Sequence, residues 1–188
     1  MHVIVQEKRQ QLQKKRFRKR CLEHLRTISE RSTYLKDMKV RHRLYEVISA
    51  MQARTIMLYV PLETEVDLSP LIKQLRREKR RLYVPFMEGK SFRLVKYRYP
   101  LEKKRFGIKE PKDSKQYRNR KIDIAVVPIV GIDHTHRRVG FGKGMYDRFF
   151  EKEMKYIGKT VFVARDLCYS RQTVTDRYDV GADMIIVP

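Results

Sequence analysis

Apolar residues recur at helical spacing through the first quarter of the chain and in short strand-like runs through the rest. Leu12, Phe17, Cys21, Leu25 and Ile28 fall three to five positions apart within residues 5–31, amid Lys and Arg. This spacing predicts an amphipathic helix. A second helix is expected over 36–52, with Met38, Leu44, Val47, Ile48 and Met51 inward. TIMLYVPL at 55–62 is a short apolar run of strand type. DLSPLIKQLRREKR at 67–80 offers Asp67 or Ser69 as N-cap and Leu71, Ile72 and Leu75 as an apolar stripe, so it predicts a helix. RLYVPFM at 81–87 and SFRLVKYRY at 91–99 read as strands. Residues 100–120, with Pro100, Gly107, Pro111 and many charges, read as a long loop. IDIAVVPIVGI at 122–132 is the most apolar run and is expected at the sheet centre. A helix over 145–155 and strands over 159–167 and 183–188 complete the pattern.

Strands alternating with helices imply an α/β fold, a mostly parallel sheet with helices on both faces. The 188 residues suggest one domain, 1–188, with the basic helix 5–31 packed on the α/β core. No apolar run is long enough to span a membrane. The N-terminal stretch MHVIVQEKRQ is too short for the apolar region of a signal peptide, so a cytoplasmic protein is expected. Cys21 and Cys168 belong to no C-x-x-C pair. They are expected to be reduced thiols, with neither a disulfide scaffold nor a zinc site. The net charge of +22 attracts polyanions: nucleic acid, nucleotides or polycarboxylate substrates.

The segment RRVGFGKGMYDRFF at 137–150 narrows that choice. Gly140, Gly142 and Gly144 follow the most apolar strand and precede a helix start. Glycines admit unusual φ and let backbone N–H groups approach an anion. The helix N-terminus adds donors and partial positive charge. Lys143 sits between the glycines, Arg138 precedes them and Asp147 follows, where it is placed to hold a magnesium ion carried by phosphates. The spacing is neither a Walker loop nor G-x-G-x-x-G. A tight turn after a buried strand, with Lys143 in solvent, is the other reading of the same residues.

VVPIVGIDHTHRRVGFGKGMYDRFF resembles the signature of the 5-formyltetrahydrofolate cyclo-ligase family. The carrying residues are Pro128, Asp133, Arg138, Val139, Gly140, Gly142, Gly144, Tyr146 and Asp147. In the same order, YVPLETEVDLSPLI resembles the family's strand, E-V-D-T segment and helix, FGIKEP its G-I-x-E-P loop, DVGADMII its final strand entry, and KKRFR its K-x-x-[LF]-R element. Departures are Ile129 for Gly, Val139 for Leu, Met145 for an aromatic residue and Leu68 for Thr.

The resemblance implies a three-layer α/β/α domain of the NagB/RpiA/CoA-transferase kind, acting as a monomer. It implies ATP- and Mg²⁺-dependent closure of 5-formyltetrahydrofolate, polyglutamylated forms among its substrates, to 5,10-methenyltetrahydrofolate through a phosphorylated formyl group. By resemblance, Lys14, Arg18, Arg138, Val139, Gly140, Phe141, Gly142, Lys143, Gly144, Met145 and Tyr146 hold ATP. Lys143, Arg138 and Tyr146 serve the chemistry. Glu65, Asp67, Glu110, Phe141 and Tyr146 face the folate, and Asp147 and Asp179 hold Mg²⁺. Blander readings stand beside these: Lys14 and Arg18 as surface charge, Asp179 as a turn cap, Glu65 as a strand-end carboxylate. His134 and His136 are read as loop residues. The alternative function is a non-catalytic nucleic-acid binder on the same scaffold. Tyr97 and Tyr99, interleaved with Lys96 and Arg98, resemble a nucleic-acid face, and a sheet-edge strand accounts for them equally.

Overall fold

The computed structural model describes residues 2–103, 109–111 and 121–188. Helix α1 spans His2–Ser29 and α2 spans Tyr34–Ala50. Strand β1 (Thr55–Met57), helix α3 (Ser69–Arg77) and strands β2 (Arg81–Glu88) and β3 (Ser91–Lys96) follow. Then come β4 (Leu101–Lys103), β5 (Lys109–Pro111), β6 (Ile122–Pro128), β7 (Gly131–Asp133) and β8 (Arg138–Val139). Helix α4 (Met145–Glu153), β9 (Ile157–Val163), β10 (Tyr169–Ser170) and β11 (Met184–Ile186) end the chain.

The main sheet has the order β11-β9-β6-β1-β2-β3. All its pairs are parallel except the β2–β3 hairpin. Strand β6 sits inside it, as its apolar sequence requires, because both of its faces are covered. Alternation along β6 separates two cores. Ile124 and Val126 join Leu44, Ile48, Leu71 and Leu75 of α2 and α3. Ala125 and Val127 join Phe149 and Phe150 of α4 on the other face. The period of two in β6 thus produces the three layers.

The expected strand over 122–132 is in fact two. β6 stops at Pro128, and β7 enters a small sheet, β10-β7-β8, beside the ends of the parallel strands. Proline has no N–H to extend the ladder, and the chain leaves the sheet there. The run 55–62 gives only a three-residue strand. The expected long loop holds the antiparallel pair β4–β5; its residues 104–108 and 112–120 lie outside the described residues.

Helix α1 packs through Phe17, Cys21 and Leu25 against Val130, Val139 and Val174. Leu12 is exposed, as are Met38 and Met51 of the second predicted stripe. The inward face of α2 is Asp37, Val40, Leu44 and Ile48, so the stripe runs through a carboxylate that a hydrophobic count passes over.

One expectation is overturned. Cys21 and Cys168 form a disulfide, with Cα atoms 5.7 Å apart, joining α1 to the segment before β10. The fold brings together residues 147 apart in sequence, a separation at which spacing rules say nothing. Among the described residues no helix is long and apolar enough to cross a membrane.

Candidate active site

The glycine segment leaves β8 and enters α4 at the ends of the parallel strands. Arg138, in β8, is buried to 3% exposure. Its Nε donates to Asp147 Oδ1 at 3.2 Å, and its Nη2 donates to both carboxylate oxygens at 3.0 and 3.1 Å. The guanidinium lies 4.9 Å from the centre of the Tyr146 ring. A Cβ on residue 140 would meet Arg138 Nη1 at 2.6 Å, so glycine there makes room for the guanidinium. Gly142 has φ +95°, a conformation that L side chains rarely adopt.

Helix α1 supplies the opposite wall. Lys14 and Arg18 are one turn apart and share a face. Arg18 Nε donates to the Gly140 carbonyl at 2.8 Å. Lys14 Nζ donates to Asp179, and to Asp176 Oδ2 at 3.1 Å. The disulfide at Cys21 and the Phe17 contact hold this helix beside the loop.

These elements enclose a cavity of about 480 Å³. Its cations are Lys14, Arg18, Arg138 and Lys143, and its carboxylates are Asp147, Asp176 and Asp179. Leu62, Met87, Phe141 and Met145 give it apolar wall, and Tyr146 and Tyr178 add aromatic rings. One part suits phosphates; the other suits a flat ring system.

Asp133 is buried beneath this site and grips its neighbours. Its Oδ2 accepts from the N–H groups of Val174 and Thr175 at 2.9 and 2.8 Å, and from Thr175 Oγ1 at 2.6 Å. Its Oδ1 accepts from Thr135 N–H at 3.0 Å and Oγ1 at 2.6 Å. Burial pushes this carboxyl up, but the hydrogen bonds from Thr135, Thr175 and Val174 outweigh it and hold it down at about 2. The segment so anchored carries Asp176 and Asp179. Burial leaves Asp179 raised despite the ammonium of Lys14. It also caps its own turn, accepting from Asp176 N–H at 2.8 Å.

Three expected substrate residues sit behind the cavity wall or away from it. Glu65 accepts from Leu62 N–H at 2.8 Å and Glu110 accepts from Met87 N–H at 2.9 Å, so each holds a wall residue in place. Asp67 does not join this site. Its Oδ1 accepts from Ser69 N–H at 2.9 Å at the start of α3, and it lines a separate cavity with Asp37 and Arg165. The N-cap of α3 is Leu68, with no side-chain cap, so neither Asp67 nor Ser69 is the cap; Asp67 forms a local turn one residue before it. Asp176, Tyr178, Leu62 and Met87 also line the cavity, and no motif in the sequence marks them as a group. Asp176, three residues before Asp179 in TDRYD, carried the only sequence signal.

Burial drives the Glu65 carboxyl up to about 7, against the lowering pull of the Leu62 N–H and Arg165. Burial likewise raises the Tyr146 hydroxyl, Glu65 adds to the rise, and Arg138 opposes it. The folded protein therefore favours protonated Glu65. Below about pH 4.5 the carboxyl is protonated in both states and costs nothing. As pH climbs to about 7 the unfolded chain loses its proton first, and stability falls, by at most about 3 kcal/mol. Glu65→Gln is expected to gain stability over the parent progressively between these limits. Thermal unfolding of both proteins across that range tests it, and parallel curves would show that burial does not govern this group.

A model of the 5-formyltetrahydrofolate cyclo-ligase family matches residues 10–188. The chain belongs to that family. It is 28% identical to the 5-formyltetrahydrofolate cyclo-ligase of Escherichia coli K12, over 73% of this chain and 80% of that protein. It is 29% identical to the enzyme of the same name from Haemophilus influenzae, over 80% and 84%. The fold superposes on the Aquifex aeolicus 5,10-methenyltetrahydrofolate synthetase with a TM-score of 0.73 and 29% identity, covering 93% of this chain and 88% of that one. The Mycoplasma pneumoniae 5,10-methenyltetrahydrofolate synthetase gives a TM-score of 0.71 at 22% identity, covering 93% and 98%. The match covers every residue lining the cavity, from Lys14 to Asp179.

Proposed function

We propose that this cyclo-ligase family member converts 5-formyltetrahydrofolate to 5,10-methenyltetrahydrofolate, consuming ATP and releasing ADP and phosphate. The observation that carries this reading is the convergence of three separate chain segments on one cavity. Lys14 and Arg18 come from α1, Arg138 and Lys143 from the glycine segment, and Asp176 and Asp179 from the segment before β11.

The formyl oxygen is a poor leaving group, and ring closure must expel it. Transfer of the γ-phosphoryl from ATP to that oxygen breaks the bond to the β-phosphate oxygen and leaves ADP. N10 then attacks the formyl carbon and gives up its proton to solvent, the ring closes, and the C–O bond breaks to release phosphate. Little covalent work falls to the protein, which must position both substrates and neutralise charge. Arg138 and Lys143, with the backbone of 140–144, hold the phosphates. Lys14 and Arg18 close on them from α1. Tyr146 and Phe141 flank the folate rings.

Magnesium fits the donors present. It takes one or two carboxylates together with phosphate oxygens, and Asp147 and Asp179 face the same cavity. When bound it would neutralise charge on the triphosphate. Among the described residues no cluster of three protein ligands forms, which suits an ion held mainly by the nucleotide.

The test is formation of the methenyl chromophore from 5-formyltetrahydrofolate by the purified protein, with phosphate release measured in parallel. Turnover that requires both ATP and Mg²⁺, with one phosphate per product, supports the proposal. Chromophore formation at the same rate without ATP would refute it.

A further inference from the structure

The +22 charge far exceeds what one nucleotide site uses, and a second concentration of it lies elsewhere. Arg54, Lys79, Arg80 and Arg81 line a cavity of about 730 Å³ whose lining includes one carboxylate, Glu78. Arg54 immediately precedes β1, and Arg81 opens β2, paired in register with Thr55. The cavity therefore sits at the N-terminal ends of the parallel strands. The candidate active site lies at their other ends, so one ligand does not occupy both.

The local polar contacts leave most of this charge outward. Arg80 Nη1 donates to the Ala53 carbonyl at 2.7 Å, and its Nε faces Glu78 at 3.5 Å. Asp123 spends one oxygen on the backbone N–H groups of Arg54 and Thr55, at 2.8 and 2.9 Å. Arg54, Lys79 and Arg81 are exposed.

Aromatic surface adjoins these cations. Tyr97 N–H donates to the carbonyl of Leu82, next to Arg81. Tyr99 is 56% exposed and meets Tyr97 edge to face, with centroids 5.6 Å apart. Arg76, at the end of α3, lies 5.7 Å from the Tyr97 ring and 5.3 Å from the Tyr99 ring. Cations beside an exposed ring backed by a guanidinium form the platform on which unpaired bases stack while phosphates are neutralised. A duplex, with its bases already stacked, gains nothing from Tyr99.

We propose that this end of the sheet is a binding surface for single-stranded nucleic acid, separate from the candidate active site. Phosphates lie on Arg54, Lys79 and Arg81, and a base stacks on Tyr99.

Fluorescence anisotropy with labelled single-stranded RNA and DNA of about 12 nucleotides tests it, with duplex DNA and inorganic polyphosphate as competitors. Single-strand affinity is expected to fall steeply with salt, by about 0.7 log units per log of salt for each phosphate contacted. Arg54→Glu/Lys79→Glu/Arg81→Glu is expected to weaken binding at least about tenfold and flatten that slope. Tyr99→Ala should weaken single-strand binding about tenfold while leaving polyphosphate binding unchanged. Cyclo-ligase turnover and the thermal midpoint should match the parent. If the triple variant unfolds, Lys79→Glu alone carries the charge test. Affinity within about twofold of the parent after charge reversal would place the charge effect elsewhere and overturn the proposal. So would polyphosphate or duplex competing as well as the single strand with Tyr99→Ala silent, because that describes an anion site without base stacking.

Discussion

Arg138→Ala is expected to lower kcat/KM for ATP by about 10³-fold or more while the protein remains folded. The guanidinium is buried, aimed into the candidate active-site cavity and oriented by three hydrogen bonds to Asp147. Alanine removes the fork and leaves the Asp147 carboxylate facing the cavity without its partner. In the proposed phosphoryl transfer both changes act most on the state in which charge develops on the transferring group, so kcat should fall along with affinity. Arg138→Lys separates geometry from charge. A point charge without the planar fork is expected to recover only part of the loss, since it cannot span both oxygens of Asp147. Steady-state kinetics beside thermal unfolding decides the matter. A drop in midpoint that accounts for the lost rate would make Arg138 a structural residue, and unimpaired turnover would remove it from the site.

Asp147 has two partners to serve in this reading. In the structure it is committed to Arg138; under the proposed function it would also hold magnesium when nucleotide binds. A carboxylate held by a guanidinium on one side still has lone pairs for a cation on the other. Lys14 and Asp179 repeat the arrangement across the cavity. Lys14 and Arg138, two of the cations proposed to hold phosphate, are thus already paired with carboxylates, which lowers the cost of gathering so much positive charge in one partly buried place.

How far the site is legible in the sequence depends on sequence distance. Residues 138–147 carry loop, cation and carboxylate within ten positions, and local chemistry alone points to an anion. Lys14 and Arg18 are visible as a helical pair, but their match to the glycine segment arises from the Arg18 contact with Gly140, 122 positions away. The Cys21–Cys168 bond and the clamp from Asp133 to Thr175 are likewise long-range. Neither leaves a local pattern to read. The fold class was more accessible, because alternating periods of 3.6 and 2 are local properties. What periodicity misjudged is instructive. Met38 was expected inward and is exposed, while its neighbour Asp37 points in. Hydropathy ranks a carboxylate as surface; only a partner elsewhere in the chain makes burial tolerable.

That partner carries the largest expected stability effect. Arg165, just past β9, donates from Nε to Asp37 Oδ1 at 2.8 Å and from Nη2 to Oδ2 at 3.0 Å, and both side chains are buried. Its Nη1 donates to Ser29 Oγ at 2.9 Å and to the Glu63 carbonyl. One guanidinium therefore ties the end of α1, the start of α2 and the segment leading to Glu65. Arg165→Met is expected to destabilise the protein by about 3–5 kcal/mol, because it strands the Asp37 carboxylate in the interior. For a chain of this length that is a fall in thermal midpoint of about 10 °C. Asp37→Leu should cost a similar amount by stranding the guanidinium. The double variant Asp37→Leu/Arg165→Met is expected to recover part of the loss, since no buried charge remains unpaired. Recovery should stop short of the parent, because the Asp67 N–H, which donates to Asp37 at 3.1 Å, and the Glu63 carbonyl still lose their partners. Arg165 also lowers the Glu65 carboxyl. Its removal should push that group further up and carry the pH-dependent loss of stability to higher pH. Additive single-variant losses in the double variant would show that the two charges do not act as a pair.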